Sequence, residues 1–204
     1  MKNDRKIIGI DYDGTIANTS GVKAHWIREH LGIEVPPWQT DRTSCVPLIG
    51  PENYQRMSQF VYEREGSLRA GEVPGSIDAI KELARHSKIF IVTARQPHQI
   101  RWCKEWLRGK GLDSFIDAYL SAAGNSLDGS EVTKPQLCRD YGVGVLIDDD
   151  ERHLGGTQVD NLRRILLKSG CTEAIVVPEG VELARSWRDV LRIVGPELFA
   201  HGEE

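Results

Sequence analysis

The stretch Ile7-Ile8-Gly9-Ile10-Asp11-Tyr12-Asp13-Gly14-Thr15 decides the reading of this 204-residue chain. Its short apolar start predicts a buried strand. The strand ends in two aspartates one residue apart, followed by Gly-Thr. In extended backbone, residues two apart point to the same side. Asp11 and Asp13 are therefore expected to face one small volume at the strand's carboxyl end. Carboxylates crowded into a poorly hydrated place cost free energy unless a cation compensates. Asp-Gly alone is common in turns, so the weight of this stretch depends on what else converges on it.

Working outward, strands are expected over residues 6–10, 88–92, 118–121, 143–147 and 174–177. Amphipathic helical patterns fall between and after them, over 75–86, 99–109, 135–141, 161–168 and 181–194. Pro74 opens the first of these and Gly109 and Gly111 close the second. Strands alternating with helices predict an α/β chain: a Rossmann-like parallel sheet with helices on both faces. Residues 16–71 break the alternation. They carry helical patterns at 22–31 and 52–65, turn-rich segments at 35–37 and 49–51, and no convincing strand. This predicts a small helical insertion (16–71) after the first strand of a core made of 1–15 and 72–204. The tail His201-Gly202-Glu203-Glu204 is expected to fray.

The bulk properties exclude several classes. The net charge of -4 gives no reason to expect nucleic acid or an anionic membrane as partner. No apolar run is long enough to span a bilayer. The N-terminal Met-Lys-Asn-Asp-Arg-Lys leads straight into a strand with no secretory h-region, which predicts a cytoplasmic protein. Cys45, Cys103, Cys138 and Cys171 show no zinc-ligand spacing and read as reduced thiols.

Three more polar features stand beside strand-like runs. Thr93 directly follows Ile89-Phe90-Ile91-Val92, Lys134 opens an expected helix, and Asp148-Asp149-Asp150 follow Val145-Leu146-Ile147. Ligands of open parallel sheets bind outside the carboxyl ends of the strands, so these groups can meet although far apart in sequence. Each has a plainer reading alone: Thr93 as a helix N-cap, Lys134 as a solvated lysine, Asp148–Asp150 as an acidic turn. Together, Asp11, Asp13, Asp148 and Asp149 bring four negative charges that Lys134 only partly offsets. Mg²⁺ suits such oxygen ligands. A phosphate dianion enters only with metal and lysine present, an arrangement for phosphoryl chemistry.

Asp-x-Asp-Gly-Thr after the first strand, then Thr, Lys and Asp-Asp in that order, resembles the haloacid dehalogenase superfamily. The likeness runs from Ile7 to Leu154 and includes the inserted segment, which matches that family's helical cap. The layout around Val73-Pro74-Gly75 and Leu146-Ile147-Asp148-Asp149 is most similar to the deoxyribonucleotidase, or 5′-nucleotidase, branch. The resemblance implies Asp11 as the nucleophile forming an aspartyl-phosphate and Asp13 as the acid and base. It implies Thr93 and the Ala94 amide on the phosphate, and Lys134 as the neutralising cation. It implies Mg²⁺ on Asp11, the Asp13 carbonyl and Asp148, with Asp149 acting beside it. Dehalogenases of the superfamily lack an acid at the position of Asp13, so Asp13 favours phosphate esters over carbon–halogen bonds. Phosphonatases use a cap lysine to form an imine, and Lys23 is the only lysine of the insertion. Response regulators share the residue types but place their acidic pair first.

One departure bears on substrate. The nucleotidase branch follows its threonine with a small polar residue and proline, whereas this chain has Thr93-Ala94-Arg95. Arg95 either clamps a second anionic group of the substrate, or caps the neighbouring carbonyls or pairs with an acid. Trp26, Trp38, Tyr54, Phe60 and Tyr62 lie in the insertion and either stack on a nucleobase or form its own core. Trp38 is singled out for substrate contact. The expected function is a Mg²⁺-dependent phosphatase of small phosphate monoesters, nucleoside 5′-monophosphates first. The alternatives are another phosphometabolite, a polynucleotide end, or a catalytically idle binder of a phosphorylated ligand.

Overall fold

The computed structural model describes residues 5–123, 132–155 and 161–199. Six strands form one parallel sheet: β1 (Ile7–Ile10), β2 (Lys88–Thr93), β3 (Ala118–Ser121), β4 (Val143–Asp148), β5 (Arg163–Leu167) and β6 (Val181–Ala184). Their order is β3-β2-β1-β4-β5-β6, that of a doubly wound Rossmann-like sheet. Strand β1 is central, with Ile10 in register with Ile91 of β2 and Ile147 of β4. The direction of winding reverses at β1, and this is where such sheets open a crevice for ligands.

Alternate residues divide the core into two layers. Ile8, Ile10, Ile89, Ile91, Val145 and Ile147 pack with helices α5 (Ser76–His86), α6 (Ile100–Gly109) and α9 (Trp187–Phe199). Val92, Leu146 and Leu166 pack on the other side with Cys138 of α7 (Lys134–Asp140) and Leu154 of α8 (Glu151–Leu154). Gly9 sits where a Cβ would come within 2.9 Å of Val92 and 3.0 Å of Val143. The close approach of β2 and β4 side chains over β1 therefore selects glycine.

Four helices lie between β1 and α5: α1 (Thr19–Leu31), α2 (Arg42–Ile49), α3 (Pro51–Tyr62) and α4 (Arg64–Arg69). Asn18 caps α1 through the Gly21 amide, and Asp41 caps α2 through the amides of Thr43 and Ser44. The expected single helix over 52–65 is two. The backbone is extended at Glu63, and a Cβ on Gly66 would meet the Phe60 carbonyl at 2.3 Å, so α4 packs tightly back on α3.

The C-terminal third departs further from expectation. The expected helix over 161–168 is strand β5. Its Ile165 and Leu167 face one layer while Arg164 and Leu166 face the other. Arg164 is buried because its guanidinium donates to the Leu154 and Glu179 carbonyls. Helix propensity of Arg and Leu is here overridden by burial on both faces. The expected strand over 174–177 is irregular, and Val176 is 91% exposed. The last strand is instead Val181–Ala184, paired with β5. The helix expected from 181 starts at Trp187, after Ser186 accepts from the Asp189 amide as an N-cap does. The tail His201–Glu204 lies outside the described residues. All four cysteines are free. Among the described residues no helix is long and apolar enough to cross a membrane.

Candidate active site

Strand order brings the expected groups together. Asp11 directly follows β1, Thr93 and Asp148 end β2 and β4, and Lys134 begins α7. Lys134 is buried and donates to Asp11 Oδ1 and Asp148 Oδ2, each at 2.7 Å. One ammonium thus joins carboxylates 137 residues apart in sequence. Asp148 Oδ1 also accepts from the Asp150 amide (3.0 Å) and lies 3.3 Å from His153 Nδ1. Burial would raise the Asp148 carboxyl, but Lys134 and His153 outweigh it and hold it below the ordinary carboxylate range.

Asp11 behaves oppositely. Burial dominates, Asp148 and Asp13 add to it, and the pull of Lys134 leaves its carboxyl raised. Asp149 is raised for the same reasons, burial first and then the charges of Asp11 and Asp148. Ligand oxygens of Asp11, Asp148 and Asp149 all lie within 4.8 Å of one another. Three carboxylates around a single ammonium leave uncompensated negative charge. Hard oxygen donors at this spacing suit Mg²⁺. The donor set therefore fits the metal.

The backbone after β1 is shaped for this cluster. Gly14 has φ +78°, and a Cβ there would fall 2.1 Å from Asp149 Oδ2. The Gly14 amide donates to the Ala17 carbonyl, and Ile16 and Ala17 donate to the Tyr12 carbonyl, which curls the segment. The indole of Trp187 donates to the Thr15 carbonyl at 2.9 Å and ties the curl to α9.

Asp13 is held apart from the acidic cluster. Arg95 Nε and Nη2 donate to its two oxygens, each at 2.8 Å. Burial pushes the Asp13 carboxyl up, but the Arg95 charge and hydrogen bonds more than reverse it and leave it lowered. Arg95 is itself buried, reaches Ser67 Oγ at 2.6 Å, and lies over the Tyr12 and Tyr62 rings. Of the readings of this arginine, pairing with an acid is the one the geometry takes. Thr93 is buried, and its hydroxyl accepts from the Arg95 amide. Ala94 and Arg95 line the adjoining cavity, of about 630 Å³.

Asp11, Asp13, Lys134 and Asp149 line that cavity, as do Trp38 and Tyr54. Trp38 lies on a 3₁₀ turn (Pro37–Gln39) and is 36% exposed. Trp26 is buried and stacks on His30, and Phe60 packs against the core. Two groups escaped sequence reasoning. His153 stands one helical turn beyond the Asp150 N-cap of α8, and the Asp-Asp-Asp-Glu-Arg-His run carries that signal. Ser67 shows none, since only the packing of α4 brings it to Arg95.

No family model and no curated protein matches this chain. Solved structures do. A predicted phosphoglycolate phosphatase from Haemophilus somnus superposes with TM-score 0.62 at 18% identity, covering 95% of this chain and 100% of that one. A putative hydrolase of the haloacid dehalogenase type from Bacillus subtilis, bound to magnesium, gives 0.57 at 15% identity over 94% and 99%. L-2-haloacid dehalogenase from Xanthobacter autotrophicus, with chloropropionic acid covalently bound, gives 0.56 at 15% over 94% and 98%. The fold is that of the haloacid dehalogenase-like hydrolases. At these identities the likeness extends to the fold and not to a branch within it.

Proposed function

We propose that this protein is a Mg²⁺-dependent phosphatase of small phosphate monoesters. The observation that carries this reading is Lys134, which donates to Asp11 and Asp148 at 2.7 Å each and lines the same cavity as Asp13. The cap (16–71) and core (1–15 and 72–204) are the two parts between which substrate would bind. Mg²⁺ would be held by Asp11, Asp148 and Asp149, with the Asp13 carbonyl. When bound, it supplies positive charge that favours the ionised form of Asp11 and offsets the phosphate.

The residues then divide the work. Lys134 engages Asp11 Oδ1, and no described residue donates to Oδ2, the oxygen free to attack phosphorus. Attack forms an aspartyl-phosphate on Asp11 as the ester oxygen leaves. Asp13 gives that oxygen a proton, then takes one from the water that cleaves the acyl phosphate and restores Asp11. Thr93 and the Ala94 amide hold phosphate oxygens. Arg95 holds Asp13 as a carboxylate, the form required for the second step, so protonation of the leaving oxygen requires Arg95 to yield. The acid at Asp13 also favours ester over carbon–halogen cleavage, because a halide leaves without a proton.

Nucleoside 5′-monophosphates are the finer proposal. Trp38 in the cavity wall supports it by offering a stacking surface. The test is phosphate release from para-nitrophenyl phosphate and from a nucleotide panel, with Mg²⁺ and with chelator. Turnover that requires Mg²⁺ and vanishes in Asp11→Asn is the expected result. Asp13→Asn should lose alkyl esters far more than the aryl ester, whose leaving group needs no proton. Absence of turnover across the panel with Mg²⁺ present would turn the reading to a phospho-ligand binder.

A further inference from the structure

The cations of the cavity are mostly matched. Lys134 holds Asp11 and Asp148, and Arg95 holds Asp13. Arg152 holds Asp150, and Lys168 holds Glu151. Lys23 is different. It projects from α1 into the same cavity, is 8% exposed, and has no carboxylate oxygen within 4.0 Å among the described residues. Its ammonium stands 5.4 Å from the centroid of the Tyr62 ring. Burying an ammonium costs several kcal/mol, which the Tyr62 side chain offsets in part. No described carboxylate pairs with it directly, so donors of the ammonium remain for a ligand.

A second polar group of the wall is also unmatched. Ser58 Oγ, from α3, is buried and has no hydrogen-bond partner. Buried hydroxyls without partners are rare and ask for an explanation. The groups that act on Lys23 come from three directions: Tyr62 and Tyr54 of α3, Cys45 of α2, and Asp13 of the core. Burial pulls the ammonium down, but Tyr62, Tyr54 and Asp13 outweigh it and leave Lys23 raised. Asp13 is near enough that it and Lys23 each affect the other's ionisation. Lys23 and Ser58 belong to the helices of residues 16–71, whereas the groups that hold the phosphate in the reading above (Asp11, Thr93, Lys134) belong to the sheet edge, so Lys23 lies on the leaving-group side.

We propose that Lys23 and Ser58 form the leaving-group subsite and select phosphate monoesters whose short alcohol portion carries a second oxyanion, a carboxylate or a phosphate. The assignment rests on the phosphatase reading for the direction in which substrate lies. It competes with the nucleotide proposal above, because a nucleoside leaving group is uncharged, and the matched pairs below decide between the two. An ammonium with three donors and a hydroxyl match a group with several acceptor oxygens.

Matched pairs test it, with para-nitrophenyl phosphate as the separate check on turnover. Phosphoglycolate is compared with ethyl phosphate for the carboxylate, and propanediol bisphosphate with propyl phosphate for the second phosphate. The wild type with Mg²⁺ should favour the member carrying the second oxyanion in one pair by about tenfold or more in kcat/KM and in Kd, the latter measured calorimetrically on Asp11→Asn. Lys23→Met should abolish that ratio and Lys23→Arg should keep part of it. Lys23→Met should lower Tm only slightly, because it removes an ammonium that Tyr62, Tyr54 and Asp13 favour while keeping the apolar stem. Equal binding within both pairs would overturn the proposal, as would a ratio unchanged in Lys23→Met. Equal loss of both members would place Lys23 on the transferred phosphate and overturn it too. A Tm lowered by many degrees would make Lys23 structural. Failure to hydrolyse any ester, para-nitrophenyl phosphate included, defeats the phosphatase reading, and the Kd ratios still judge the subsite.

Discussion

Replacing Lys134 by Met keeps the length of the side chain and removes the charge on which the acidic cluster is built. Both of its hydrogen bonds, to Asp11 and Asp148, are buried and 2.7 Å long. Removing one partner of a buried ion pair costs about 3–5 kcal/mol, because the orphaned charge stays in place. An upper limit follows from protonation. A carboxyl of ordinary pKa 3.8 takes up a proton for about 1.4 kcal/mol per pH unit above that value. Each orphaned carboxylate can therefore neutralise for about 2 kcal/mol at pH 5 and about 6 kcal/mol at pH 8. In the variant these carboxyls bind protons in the folded state that the unfolded chain has already released, so stability falls as pH rises. At pH 8, without divalent metal, the deficit should be about 3–5 kcal/mol, or roughly 6–20 °C in Tm for a chain of this size. At pH 5 it should shrink to about 2 kcal/mol, because Asp11, raised to about 7 by burial, already holds its proton there and only Asp148 is orphaned. Excess Mg²⁺ should recover more Tm in the variant than in the wild type, since it restores positive charge to the same oxygens. Thermal unfolding by circular dichroism at both pH values, with chelator and with Mg²⁺, measures all three. A variant within about 2 °C of wild type at pH 8, or one hurt more at pH 5, would refute the claim that Lys134 compensates this cluster.

Gly14→Ala drives a Cβ into Asp149 at 2.1 Å and forces a positive φ on a residue with a side chain; strain of about 1–3 kcal/mol and weakened Mg²⁺ binding by calorimetry are expected. Gly71→Ala, which meets nothing within 4 Å, should leave Mg²⁺ affinity unchanged. Arg95→Met orphans Asp13 and should cost about 3 kcal/mol in urea denaturation, the lower end of the range for a pair whose acid is partly exposed. Adding Asp13→Asn should return part of that loss, the signature of direct coupling in a double-mutant cycle. Trp187→Phe leaves the Thr15 carbonyl without its buried donor and should cost at least ~1–3 kcal/mol by the same measurement.

Much of the core was legible because its signals are local. Strands β1 to β4 announce themselves as short apolar runs, and β1, β2 and β4 each run into a polar residue of the site at the sheet edge. The segment 161–184 was not legible. Arg163-Arg164-Ile165-Leu166-Leu167 has helix-favouring composition, and only pairing with β4 and β6 and the carbonyl partners of Arg164 make it a strand. The two-sided burial of β5 is a property of the layers, which no window of sequence contains.

The sequence by itself determined which chemistry-bearing side chains exist and that they follow parallel strands, because backbone periodicity and the apolar runs are encoded locally. Tertiary structure alone decided who pairs with whom. It set Arg95 on Asp13 rather than on open cavity, put His153 beside Asp148, and buried Lys23 without a carboxylate. Those outcomes depend on distances and on dielectric environment, which exist only once β1, β2, β4 and the four helices of residues 16–71 have closed around one another.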